Sequence, residues 1–96
     1  MATFISLISW TDQGIRAVKE TLKRADAAVD LARKFGGSLT VYWTVGPYDI
    51  VALSEFDDEE TATAYLLAVG SLGNVRSTTL RAFGRQEMEG ILAKLA

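Results

Sequence analysis

The sequence predicts an α+β domain built on a four-stranded antiparallel sheet, and three observations carry that expectation. Runs rich in β-branched and aromatic residues alternate with runs of helical periodicity, in the order β-α-β-β-α-β-α. The two middle β-runs are joined only by Gly46-Pro47-Tyr48-Asp49, a hairpin signal. The 96 residues leave room for a single domain over positions 1–96, with an adequate but thin core.

Thr3 to Trp10 opens the chain as a short run of β-formers. One parity carries Phe4, Ser6, Ile8 and Trp10, and the other Thr3, Ile5, Leu7 and Ser9. Both faces are therefore partly apolar, as in a strand covered on each side. Thr11-Asp12-Gln13-Gly14 follows as a helix-start signal, with Thr11 or Asp12 as the cap. Ile15, Val18, Leu22, Ala25, Val29, Ala32 and Phe35 recur at helical spacing, and Arg16, Lys19, Lys23, Asp26, Asp30 and Arg33 suit a solvated face. Thr21 is a point at which this helix can break and a second segment begin. Gly36-Gly37 ends it through a left-handed cap.

Leu39 to Val45 and Ile50 to Phe56 are the hairpin strands. Pro47 presets the backbone for the second turn position, and Gly46 tolerates strained angles before it. Asp57 with Glu60 three residues later reads as a capping box. The next helix carries Ala62, Tyr65, Leu66 and Val69 on its apolar stripe and ends near Gly70-Ser71-Leu72-Gly73. Asn74 to Phe83 forms the fourth strand, and Gly84 opens a terminal helix with Met88, Ile91, Leu92 and Leu95 on one face. The first six elements match the ferredoxin-like βαββαβ arrangement, here with an added C-terminal helix. Both long helices then cover one sheet face. The other must be solvated, bind something or meet another chain.

Composition narrows the chemistry. With neither cysteine nor histidine, the chain lacks thiolate metal ligands, the commonest general base and the usual haem ligand. The acidic side chains show no metal-ligand spacing, so neither a metal nor a cofactor is expected, and no nucleophile–base constellation identifies catalytic residues. Ten basic residues against twelve acidic ones give a formal charge of −2, and no basic patch suggests a nucleic-acid partner. The first residues lack the pattern of a secretory signal, and no apolar run approaches a membrane span, so a cytoplasmic protein is expected.

With a two- or four-residue hairpin connection, Val45 opposes Ile50, Trp43 opposes Ala52 and Val41 opposes Ser54. The other face then carries Tyr42, Thr44, Val51, Leu53 and Asp49. Neither set suits bulk water, which implies a partner, most simply a second copy in a homodimer or larger homo-oligomer. Five residues stand out as ligand-binding candidates: Tyr48, Asp49, Arg76, Trp43 and Trp10. Against this, Asp49 also suits a turn hydrogen bond, and Tyr48 suits packing over the sheet edge. Arg76 and Arg81, on opposite parities of the fourth strand, suit either a bound carboxylate or a salt bridge. Trp10 and Trp43 suit a pocket wall, a core or an interface. Gly70-Ser71-Leu72-Gly73-Asn74 follows a helix rather than preceding one, so it reads as a terminator and not as a phosphate loop.

The chain resembles the GYD domain family of small bacterial proteins. The likeness rests on Gly46-Pro47-Tyr48-Asp49, on Thr11-Asp12-Gln13-Gly14 and on Gly70-Ser71-Leu72-Gly73-Asn74-Val75-Arg76, occurring together along one chain. It implies an architecture similar to the dimeric α+β barrel proteins and assigns no activity. The leading expectation is a homo-oligomeric module that binds a small apolar or anionic molecule on its open sheet face. The alternatives are a structural self-assembling subunit, or a cofactor-free enzyme on an enolisable or aromatic substrate with Asp49 as base and Arg76 as stabiliser.

Overall fold

The computed structural model describes residues 1–95. Its strands are β1 (Ala2–Trp10), β2 (Ser38–Trp43), β3 (Ile50–Phe56) and β4 (Val75–Ala82). Its helices are α1 (Asp12–Arg16), α2 (Thr21–Lys34), α3 (Glu59–Gly70) and α4 (Arg85–Ala93), with a 3₁₀ turn at Val18–Glu20. The four strands form one antiparallel sheet in the order β2-β3-β1-β4, the ferredoxin-like order. No helix among the described residues is long and apolar enough to cross a membrane.

The first helical stretch does break before Thr21. Thr11 caps α1, its hydroxyl accepting from the Gly14 N–H at 3.1 Å, and Thr21 is the first residue of α2. At the other end of α2, the Gly37 and Gly36 N–H groups donate to the Ala32 and Arg33 carbonyls, which is the Schellman closure a glycine pair favours. The capping residue of α3 is Asp58 rather than Asp57. Its carboxylate accepts from the Thr61 N–H at 2.7 Å, and that bond holds the Asp58 carboxyl below the usual carboxylate range.

The hairpin register is offset by two residues from the expected one. Trp43 opposes Ile50, Val41 opposes Ala52 and Leu39 opposes Ser54. Asp49 causes the shift, because β1 claims it: its N–H donates to the Ile8 carbonyl, so it cannot sit at the turn. The Thr44 N–H donates to the Asp49 carbonyl and the Thr44 hydroxyl to the Tyr48 carbonyl, which moves the tip to Gly46-Pro47. Gly46 accordingly takes φ +142°, which side chains resist. A two-residue offset preserves parity, so each side chain keeps its expected face.

The helices cover the face of Phe4, Ser6, Ile8 and Trp10. Phe4, Ala32, Phe56, Ala62 and Tyr65 form a buried cluster at one end of this layer. The Tyr65 ring meets Phe35 edge-on at 5.9 Å and Phe56 at 5.0 Å. Its hydroxyl donates to the Ala28 carbonyl at 2.9 Å, and burial pushes the phenol up to about 12. Truncating the fully buried Phe56 to alanine should cost about 3–5 kcal/mol. The inward face of α2 keeps Ala25, Ala32 and Phe35 of the expected stripe and adds Ala28 and Leu31, while Leu22 is exposed.

The uncovered sheet face exposes Tyr42, Leu53 and Leu80 to 54%, 40% and 48%. At the far end, α4 extends the molecule to 52 × 30 × 17 Å and leaves Met88, Leu92 and Leu95 exposed. Arg81 ties down its base. The guanidinium lies 4.5 Å from the Phe83 ring centre and 3.2 Å from the Glu87 carboxylate, which also accepts from the Gly84 N–H.

Candidate functional site

The helix layer is filled at only one end. At the other end, a cavity of about 320 Å³ opens between the sheet and the helices. Ser6, Ile8, Trp10, Val41, Ile50, Ala52 and Ser77 line it from the sheet, and Ala25, Ala28, Leu31 and Val69 are among its helical walls. The hollow follows from side-chain size. Where Phe4, Phe56 and Tyr65 fill one end, serines on the sheet and alanines on α2 leave the other end short of volume. The space lies at the low end of the range that small-molecule pockets occupy.

Its polar groups are mostly committed to one another. The Ser6 and Thr79 hydroxyls bond at 2.9 Å, and the Thr21 hydroxyl accepts from the Trp43 indole N–H at 3.0 Å. The charged side chains on the lining are Arg24 and Lys34, both basic.

Three loop segments clasp the end of β1 beside this cavity. The Trp10 N–H donates to the Asp49 carboxylate at 2.9 Å. The Thr11 N–H donates to the Asn74 carbonyl, and the Thr11 hydroxyl to the Gly73 carbonyl at 2.6 Å. Gln13 Nε2 reaches the Leu72 carbonyl and Asn74 Oδ1. Gly14 packs so closely that a Cβ there would lie 2.0 Å from the Asn74 carbonyl oxygen. Thr11-Asp12-Gln13-Gly14, Asp49 and Gly73-Asn74 thus form one structural unit.

Of the five residues singled out from the sequence, Trp10 alone lines the cavity. Trp43 stands just behind it, through its bond to Thr21. Asp49 is held by the Trp10 N–H, and Tyr48 lends its backbone carbonyl to Thr44. Arg76 pairs with Ser9 on the uncovered face. Asp49 and Arg76 make no ion pair with one another, and neither lines the cavity. Sequence reasoning missed Arg24, Ser77 and the alanines of α2. The available signal was volume: small side chains at inward positions of both layers.

The GYD domain model matches residues 4–92. A relative from Thermus thermophilus, named glutamine synthetase and cystathionine beta-lyase binding protein, is 36% identical over 84 residues, covering 85% of this chain and 88% of its own length. A crystal structure of a Thermus thermophilus protein superposes with a TM-score of 0.58 at 29% identity, over 88% of this chain and 95% of the other. An Arabidopsis thaliana protein superposes with a TM-score of 0.54 at 16% identity, over 88% and 97%, and at that identity the likeness is one of fold.

Proposed function

The chain belongs to the GYD domain family, and on that premise we propose that it is a homo-oligomeric binding protein whose cavity between sheet and helices takes a small, mainly apolar molecule. The observation that carries this reading is the cavity itself, about 320 Å³ of space in a chain of only 96 residues. An unfilled hollow of that size forfeits packing contacts, and a ligand would restore them. The proposal moves the ligand from the open sheet face to the helix-covered face. Of the residues picked out from the sequence, Trp10 and Trp43 then wall or back the site, and Asp49 shapes it through Trp10. Tyr48 and Arg76 are left without a ligand role. The same reading takes the protein as cytoplasmic.

The open face is assigned to a second copy. Tyr42, Leu53 and Leu80 stand exposed in one sheet, and burial recovers about 25 cal/mol per Å² of apolar area. Placing the copy there leaves the helix side accessible to ligand.

Native mass spectrometry of the purified protein, followed by a thermal-shift screen of small apolar compounds, tests both parts. The expected result is an oligomer that carries or is stabilised by a small molecule. A monomer that no compound stabilises would overturn the proposal. A second reading, a protein partner, is favoured by the relative named for binding two enzymes. Its test is co-elution with purified glutamine synthetase or cystathionine beta-lyase.

A further inference from the structure

We infer that the ligand of this cavity is an apolar carboxylate whose anionic group is held by Arg24, an inference that rests on the binding reading above. The cavity wall carries no acidic side chain, although the chain has twelve acids to ten bases. Its charged lining is Arg24 and Lys34 alone. A guanidinium stays protonated at any physiological pH and offers five N–H donors in a rigid fork.

Arg24 spends almost none of that capacity. Its only hydrogen bond among the described residues is a long one, 3.4 Å, to the Ala17 carbonyl. No carboxylate among the described residues pairs with it, as with Arg16 and Arg76, but of these three Arg24 alone lines the cavity. It is also half-buried, so water screens it less than a surface arginine. Among the neighbouring polar groups, the Ser6 and Thr79 hydroxyls bond one another, the Thr21 hydroxyl accepts from the Trp43 indole N–H, and the Tyr65 hydroxyl donates to the Ala28 carbonyl.

Lys34 lies ten residues further along α2, about 15 Å away at 1.5 Å per residue, so the two cations do not converge. The anion is anchored at Arg24 and the apolar body lies along Ile8, Ala52 and Leu31. At about 30 Å³ per water-sized atom, the space admits about ten heavy atoms. The chemical class is therefore a short aliphatic or aryl-alkyl carboxylic acid.

The test compares matched acid and alcohol probes: octanoate with octan-1-ol, and 3-phenylpropanoate with 3-phenylpropan-1-ol. Binding is followed by amide chemical shifts of Ser6, Ile8, Ala52 and Ser77. At least one acid should bind tenfold or more tightly than its alcohol. Arg24→Gln should bring that acid down to within about twofold of its alcohol. Arg24→Lys should keep part of the preference. Alcohols that bind as well as the acids, or an acid preference that survives Arg24→Gln, would overturn the inference while leaving the binding reading in place. If no probe shifts those amides, the carboxylate inference fails, while the binding reading is decided by the wider compound screen.

Discussion

The Asp49 carboxylate accepts a hydrogen bond from the Trp10 backbone N–H at 2.9 Å, across 39 residues of sequence. That bond fastens the hairpin to the end of β1, and with it fixes where the Trp10 side chain meets the cavity. A charge-assisted, part-buried bond of this kind contributes about 1–3 kcal/mol. Asp49→Ala should lower stability by about that amount in chemical denaturation, and Asp49→Asn by less, because its amide oxygen still accepts. Equal losses for both would argue against the bond.

Of the glycines, Gly14 leaves the least room for a side chain. A methyl group there would lie 2.0 Å from the Asn74 carbonyl oxygen, so the backbone must move. Gly14→Ala should destabilise by about 1–3 kcal/mol despite its better helix propensity. Chemical shift changes should concentrate at Thr11 and Leu72–Asn74. Unchanged or increased stability would contradict the packing described.

The Arg81–Glu87 contact makes the attachment of α4 sensitive to acid. The Gly84 N–H first, and the Arg81 guanidinium second, hold the Glu87 carboxyl below its ordinary value of 4.5. A depressed carboxyl contributes its stabilisation fully above that ordinary value and loses it as pH falls through the depressed one. Amide exchange in the first turn of α4, corrected for intrinsic pH effects, should therefore quicken as pH falls below that ordinary value. In Glu87→Gln that step should be absent. Acid-insensitive exchange in the parent protein would refute it.

If, as proposed, a second copy covers the open sheet face, charge there should break the assembly. Leu53→Asp and Leu80→Asp should each shift sedimentation toward monomer while leaving the circular dichroism spectrum intact. An unchanged oligomer would place the interface elsewhere.

The fold was largely legible because each strand carries β-formers and each turn its own chemistry. Parity survived a wrong register, since Asp49 shifted the hairpin by two residues rather than one. What could not be read was anything set by long-range backbone bonds. The Asp49–Trp10 bond spans 39 residues and the Thr11–Gly73 bond 62, and neither leaves a local pattern. Asp49 therefore stood out as a ligand-binding candidate, and its clasp on the Trp10 N–H was not foreseeable from the turn itself. The cavity went unseen for a related reason: Ala25, Ala28, Ser6 and Ser77 each read as ordinary until the two layers are set face to face.

Filling the cavity tests the central claim most directly. Ser77 faces it from β4, an edge strand, where phenylalanine suits the backbone. Ligand-observed NMR with a small-fragment library should detect binders to the parent protein. Ser77→Phe should keep the fold and lose them. Fragments that bind the filled variant as well as the parent, or a parent that binds none, would contradict a small-molecule site between sheet and helices.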